Sequence, residues 1–376
     1  MVDKTLVVIT KGIPFESGGA AAIIRNLFAN VNNKTEVCLL GRRAEYFPSN
    51  FVIPYDCFEI PLSNQKDNFL KKTVLFSRSL WIGIKVIKAK KKSVKILGIY
   101  RDESSLVLSY TLSLLTRLPL NIYLTDLYAE QYTRFLPKVL QRVIFRKAQN
   151  IFCLTEGMRE EYARLYCLKT KLLPHTISGL NNCYRKENQR LKDEFIIGYA
   201  GTIIPERIDL LRELIRIVGE NVNYRLKLFT PHDSFFLESN GLYNDSVNNE
   251  YIKNQVTLIS KLHECDLLYL PLTFTSSKDD LQLKTCLGTK SFDYLQSGSE
   301  ILVHSPKDYL TYTFFEKNNI GFLLDSNEKG DLAGKLDCLS REIRAAEFLS
   351  SDYSDVLKNH VGVKVYDDMI QSIFDE

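Results

Sequence analysis

Residues Gly288 to Pro306 read GTKSFDYLQSGSEILVHSP. Thr289 is a good N-cap, Gly298 a good helix terminator, and Ile301-Leu302-Val303 follows as a short uncharged strand. The spacing predicts a helix feeding a strand, the repeating half of a parallel α/β sheet. Lys290 and Asp293 stand three apart, which puts an ammonium and a carboxylate on one face of the first turn. Backbone N–H groups left over at the helix start and the positive end of its dipole lie beside them, a fit for a phosphorylated ligand. A surface Lys–Asp pair on an ordinary crossover helix is the plainer reading of the same two residues.

The same alternation extends outward. Phe195 to Ala200 (FIIGYA) is an apolar strand that turns through Gly201-Thr202-Ile203-Ile204-Pro205-Glu206-Arg207 into a helix from Asp209. Leu226 to Phe229 and Leu267 to Pro271 add two strands, giving a parallel α/β domain over 193–350. Before it, 177–192 (ISGLNNCYRKENQRLK) is polar and unpatterned and reads as a linker. Residues 1–176 form a second domain of the same kind, and the stripe Val361, Val365, Met369, Ile373 marks a final helix, within about 351–376, that packs back on it.

That first domain opens with the strand Leu6-Val7-Val8-Ile9, a loop holding Gly12, Pro14, Gly18 and Gly19, and a helix from near Ala20. Paired glycines let a backbone approach a ligand at a helix N-terminus, although their spacing matches neither the P-loop nor the dinucleotide fingerprint. Strands follow at Val37 to Leu40, Ile96 to Tyr100, Asn121 to Leu124 and Ile151 to Leu154. Asp126 stands at one strand end, where doubly wound sheets bind ligands and where helices take their N-caps. From Lys66 to Lys95 the chain is basic with apolar residues Phe69, Val74, Phe76, Leu80, Trp81, Ile84 and Ile87 at helical spacing, a pattern that suits anionic lipid or a solvated crossover helix. Arg134, Lys138, Arg142 and Arg146 make a second basic stripe.

At 376 residues, with 45% hydrophobic and 25% charged residues, the chain is long enough for two ordinary hydrophobic cores. The eight cysteines show no Cys-x-x-Cys spacing and the five histidines are dispersed, so no metal centre is expected and the thiols read as reduced. No stretch reaches the roughly 18 apolar residues of a membrane span, and the first ten residues do not read as a signal peptide. The expected location is therefore cytoplasmic, with the inner face of a membrane as the alternative. Residues 1–180 carry 27 Lys+Arg against 14 Asp+Glu, whereas the rest carries 22 against 31. A basic first half suits an anionic partner, and membrane is favoured over nucleic acid because no nucleic-acid-binding module accompanies the charge.

SGGAAAIIRNL, CLTEGMREEYARLY, YAGTIIPERIDLLRELI, LHECDLLYLPL and, above all, GTKSFDYLQSGSEILVHSP followed by FFEKNNIGFLL carry a family likeness. The chain resembles the GT-B glycosyltransferases, and within them the family 4 enzymes that build bacterial surface polysaccharides. The resemblance spans nearly the whole chain. It implies two Rossmann-like parallel-sheet domains facing a cleft, with a nucleotide sugar such as a UDP- or GDP-sugar on the second domain and a glycan acceptor, expected to be lipid-linked, on the first. It assigns Asp293 to the ribose hydroxyls, Lys290 and Arg207 to the diphosphate, and Thr289, Gly201 and Thr202 to further nucleotide-sugar contacts. Gly18, Gly19 and Asp126 fall on the acceptor and diphosphate side. It also implies retention of configuration, no cofactor and no metal, in keeping with a sequence that offers no Ser-His-Asp or Cys-His constellation. Two positions depart from the family pattern: Thr285 stands where a first glutamate is usual, and Thr125 where a histidine often precedes the strand-end aspartate. A sugar-nucleotide 2-epimerase, or a binding protein without catalysis, are the other functions the same fold accommodates.

Overall fold

A computed structural model describes residues 4–13, 19–29, 31, 34–42, 55–62, 67–90, 93–100, 102–127, 135–177, 179, 194–272, 280–325, 332–345 and 353–375. The chain divides into two compact units, residues 1–178 with 360–376, and residues 179–359.

In unit 1 the described elements run β1 (Lys4–Gly12), α1 (Gly19–Phe28), β2 (Thr35–Arg42), β3 (Asp56–Glu59), α2 (Phe69–Ala89), β4 (Ser93–Tyr100), α3 (Glu103–Thr116), β5 (Leu120–Leu124), α4 (Phe135–Phe145), β6 (Asn150–Cys153), α5 (Glu156–Tyr166) and β7 (Lys171–Leu172). The strands make one sheet in the order β3-β2-β1-β4-β5-β6-β7, and the pairs are parallel. Helices cover a sheet of this kind on both faces, which is why its central strands are apolar without alternation: Leu6 to Ile9, Ile122 to Leu124 and Ile151 to Cys153 are all buried. Side-chain oxygens close the helix starts. Asp102 accepts from the Ser105 N–H at 2.8 Å, and Thr155 from the Met158 N–H at 3.2 Å.

Unit 2 runs β8 (Phe195–Ala200), a 3₁₀ turn at Pro205–Arg207, α6 (Ile208–Glu220), β9 (Tyr224–Phe229), α7 (Ser234–Ser239), β10 (Val247–Asn249), α8 (Gln255–His263), β11 (Leu267–Pro271), α9 (Asp280–Thr285), α10 (Thr289–Ser297), β12 (Glu300–His304), α11 (Leu310–Lys317), β13 (Phe322–Leu324), α12 (Leu332–Arg344) and α13 (Ser354–Lys358). Its sheet has the order β10-β9-β8-β11-β12-β13, again parallel. Because the chain winds one way from β8 to β10 and the other way from β11 to β13, β8 and β11 flank the topological switch, where doubly wound sheets open a crevice at their C-terminal edge. The apolar side of α6, Leu211, Leu214, Ile215 and Val218, joins Ile197 and Tyr199 of β8 and Leu332, Leu336 and Leu339 of α12 in one core.

The last helix, α14 (Gly362–Phe374), belongs to unit 1. Gly362 lies so close to the backbone carbonyls of Asn26 and Ile177 that a Cβ there would strike them. Asn26 Nδ2 donates to the Thr176 carbonyl at 2.9 Å, Ile177 bridges to Val361, and Val365, Met369 and Ile373 are buried. Ile177, at the head of the polar stretch 177–192, is thus tied into unit 1; residues 180–193 lie outside the described residues.

Several local expectations are corrected. Gly288, not Thr289, occupies the N-cap of α10, and Thr289 is its first helical residue. The extended backbone of Gly288 already supplies the cap conformation, so the threonine is not needed there. Helix α6 starts at Ile208 rather than Asp209, after the 3₁₀ turn that Pro205 initiates. The apolar residues of the basic segment, whose facing the sequence left open, divide in α2: Phe69, Val74 and Trp81 are exposed, whereas Ile87 is buried with Ser79, Gly83 and Val86. Gly18, Lys66, Arg134 and Cys183 lie outside the described residues.

Candidate functional site

The candidate site in unit 2 grows from a defect in its sheet. β8 and β11 pair only through Leu267 with Ile197 and Leu268 with Gly198, and then diverge. Divergence would orphan the Ala200 N–H and the Tyr269 carbonyl, groups that are expensive to bury unpaired. The Tyr294 hydroxyl, delivered by α10, takes both: it accepts from Ala200 N at 2.8 Å and donates to the Tyr269 carbonyl at 3.3 Å. This bridge docks α10 against the open end of the switch.

Where β8 ends, Gly201 adopts φ +103° and donates its N–H to the Phe229 carbonyl at 2.8 Å. A Cβ at this position would be strained by the φ itself and would displace the end of the Lys290 side chain, landing on its Cε and 2.8 Å from its Nζ. Lys290 Nζ donates to the Tyr199 hydroxyl at 3.0 Å, and that hydroxyl donates onward to the Thr202 carbonyl at 3.2 Å. Arg207 lies near the same phenol, close enough for its charge to act on it. One buried, neutral tyrosine thus gathers Lys290, Arg207 and the Gly201-Thr202 turn. Surrounding protein atoms and the nearby Arg207 charge hold the Lys290 ammonium well below the ordinary lysine range, with Asp293 opposing them. The Tyr199 phenol is pushed up by burial, against the pull of Arg207.

Helix α10 starts beside this cluster with no side-chain cap, and a Cβ on Gly288 would meet open space. The buried Ser291 Oγ in its first turn has no hydrogen-bond partner among the described residues. From Ser291 to Ser297 every residue is buried except Asp293, whose Oδ1 accepts from Gln255 Nε2 of α8 at 2.7 Å. The turn after β8 is held from its other side by His232, whose Nε2 lies 3.1 Å from both the N–H and the carbonyl of Ile203 and whose ring stacks on Phe236 at 4.0 Å. At the far side of the switch, Tyr269 bonds through its hydroxyl to His304 Nδ1 at 2.8 Å; burial lowers the His304 pKa to about 4, against the influence of Asp325.

Lys290, Arg207, Gly201 and Thr202 therefore meet around Tyr199, with Asp293 and Thr289 on the same short helix as Lys290. Gly19 and Asp126 belong to unit 1, as the first residue of α1 and a half-buried residue just beyond β5. Thr285, where the family pattern has glutamate, donates its hydroxyl to the Leu281 carbonyl at 2.8 Å inside its own helix. Thr125 directs its hydroxyl to the Tyr100 carbonyl at 3.5 Å. Sequence reasoning passed over Tyr199, Tyr294, His232 and Gln255. A signal for the first existed: FIIGYA places one tyrosine in an otherwise apolar strand, next to its C-terminal end.

Glu36, Cys38 and Asp56 of unit 1 bring ligand atoms within 4.8 Å of one another, a spacing a metal could use. The Lys90 ammonium occupies that role, 2.6 Å from Glu36 and 3.5 Å from Asp56; burial pulls its pKa down, but the hydrogen bonds and charges of Glu36 and Cys38 together more than offset this and raise it. The group is an internal ion cluster.

Sucrose-phosphate synthase from Thermosynechococcus elongatus superposes with a TM-score of 0.72 at 14% identity, covering 98% of each chain. Anabaena HepE in complex with UDP-glucose superposes at 0.67 with 13% identity over 100% of each chain. The fold is GT-B. A UDP-N-acetylglucosamine 2-epimerase also shares it, with a TM-score of 0.57 and 11% identity over 98% of this chain and 96% of its own. The sequence matches no family model and no curated protein. Within the GT-B fold, the Lys290–Tyr199–Arg207 cluster belongs to the second unit and to the C-terminal edge of its sheet. No described helix is long and apolar enough to cross a membrane.

Proposed function

We propose that the chain is a glycosyltransferase that holds a nucleoside-diphosphate sugar on unit 2 and transfers the sugar to a glycan acceptor, as the family 4 resemblance implies. The observation that carries this reading is the pair of basic side chains, Lys290 bonded to Tyr199 and Arg207 beside it, at the uncapped start of α10. A diphosphate placed there would meet two positive side chains and the positive end of a helix dipole. Asp293 is the half-buried acceptor three residues further along, suited to ribose hydroxyls, with Gln255 setting its direction. HepE binding UDP and UDP-glucose supports a UDP-sugar as the donor.

In the proposed reaction the bond from the anomeric carbon to the diphosphate oxygen breaks, and an acceptor hydroxyl bonds to that carbon from the same face. The acceptor proton passes to a leaving phosphate oxygen, so configuration is retained without a protein nucleophile. Lys290 and Arg207 neutralise the charge that builds on the leaving group, the electrostatic task a metal performs in other enzymes. The acceptor we propose is a lipid-linked glycan of surface polysaccharide synthesis, met at the cytoplasmic face of a membrane.

Incubation with UDP-glucose and related donors, with and without a lipid-linked acceptor, tests the reading. Transfer with retained configuration that is lost in both Lys290→Ala and Arg207→Ala supports it; unchanged turnover in the double variant overturns it. The epimerase neighbours favour one competing activity. A UDP-sugar returned with its C2 configuration inverted, in the absence of acceptor and without release of UDP, would establish that activity instead.

A further inference from the structure

Helix α2 carries an apolar stripe on the wrong side. At about 100° per residue, Leu70, Val74 and Trp81 fall within a sector of roughly 40°, and the buried residues Ser79, Gly83, Val86 and Ile87 lie on the opposite side. The inner side is committed to unit 1: a Cβ on Gly83 would lie 2.8 Å from Leu112 Cδ1 of α3. The outer side is left open, with Phe69 84%, Leu70 75%, Val74 59% and Trp81 57% exposed. Core packing therefore does not account for these residues.

The charge on the same helix has one sign. Its 21 residues hold Lys71, Lys72, Arg78, Lys85 and Lys88 and no acid. Arg78 and Lys85 run along one side of the apolar stripe, Lys88 continues it, and the Lys85 ammonium rests over the Trp81 ring, 3.7 Å from its centroid. Lys71 pairs at 2.7 Å with Asp67, just before the helix. A second copy of this helix would be repelled by it, and an apolar protein groove would leave the cations unmatched. A surface that offers anionic headgroups above a hydrocarbon layer matches both features at once.

We infer that α2 is a peripheral docking helix for anionic lipid, laying Leu70, Val74 and Trp81 into the headgroup boundary while Arg78, Lys85 and Lys88 engage phosphates. A crossover helix runs antiparallel to its strands, so Phe69 and Leu70 sit at the C-terminal edge of the unit 1 sheet, the edge that also carries Gly19 and Asp126. Docking there brings that edge to the lipid surface. The inference names a partner surface for the proposed lipid-linked acceptor, but it rests on α2 and not on the transfer chemistry.

Trp81 is the single tryptophan of the chain, so its emission reports on the stripe alone. With the full-length protein, vesicles of mixed phosphatidylcholine and phosphatidylglycerol are expected to shift that emission to the blue and to carry the protein upward in flotation. Pure phosphatidylcholine vesicles should do neither. Each cation near an anionic surface multiplies partitioning roughly fivefold, so reversing Lys71, Arg78, Lys85 and Lys88 to Glu should lower it by more than about a hundredfold. Leu70→Ser with Val74→Ser should abolish the blue shift at low salt even where weak flotation persists. No shift and no flotation of the unaltered protein overturns the inference. So does a shift that grows with protein concentration alone, which marks a second copy, or one that RNA produces at equal phosphate. UDP binding measured without lipid keeps the two readings apart: a protein that binds UDP and ignores vesicles loses only the docking helix, whereas one that binds vesicles and ignores UDP loses only the proposed reaction.

Discussion

Lys290 is a lysine kept short of its normal affinity for a proton, and that condition has consequences a bench can read. In the free protein, burial and Arg207 favour its neutral form. A diphosphate alongside would favour the charged form, so UDP binding should draw a proton from the buffer. Calorimetry of UDP binding in buffers of different ionisation enthalpy, repeated over a series of pH values below the ordinary lysine range, is expected to show this uptake, and Lys290→Met to abolish it. The same depression has a sign for stability. Between the lowered folded value and the unfolded value near 10.4, the unfolded chain binds more protons at this position. Its contribution to stability therefore rises with pH across that window, and Lys290→Met should flatten the rise. Replacing Gly201 with alanine forces a side chain into φ +103° and onto the Lys290 stem. A loss of about 1–3 kcal/mol in urea unfolding, with weakened UDP binding, is expected. Lys290 and Asp293 were legible as candidates from their spacing. Their separate partners, Tyr199 and Gln255, were not, because strand β8 and helix α8 reach them from far along the chain.

At the level of elements, the divergence of β8 from β11 is held by one hydroxyl. Tyr294→Phe leaves the Ala200 N–H and the Tyr269 carbonyl without that partner, and each buried unpaired group costs about 1–3 kcal/mol. The variant should unfold at lower urea and, by loosening α10, bind UDP more weakly; stability unchanged from the parent would show that the bridge contributes nothing. Beside it, His304 ties β12 to β11 through Tyr269. Its folded pKa of about 4 lies below the unfolded value near 6.5, so the folded state resists protonation. Stability from this group is present above the unfolded value and is lost as pH falls toward 4, about 3 kcal/mol in all. Urea unfolding at a series of pH values should show the loss, and His304→Gln should remove it. The alternation of apolar strands and amphipathic helices was readable throughout, because fully covered parallel strands are uninterrupted by polar residues. The divergence was not readable, since sequence gives strand order along the chain but not where two neighbours stop pairing. The apolar residues of α2 were visible too, yet periodicity alone could not tell a stripe facing the core from one facing outward.

For the molecule as a whole, two units with separate cores need not unfold together. UDP, bound in the proposed way, should raise the melting transition of the unit that carries Lys290 and leave the other nearly in place; at a hundred times the dissociation constant the added stability is about 2.7 kcal/mol. Differential scanning calorimetry, with GDP as the comparison, distinguishes this from a general effect of anions. The doubly wound architecture of both units was legible, as was the helical stripe near the chain's end. Less so was how closely that end is built in: Gly362 seats α14 against Asn26 and Ile177, with His360 Nδ1 2.8 Å from the His175 carbonyl. Unit 1 is therefore made from two pieces of chain with the whole of unit 2 between them. During synthesis, its sheet leaves the ribosome first but must wait for its last helix until the intervening unit has emerged, so the segment translated later can complete its own core sooner.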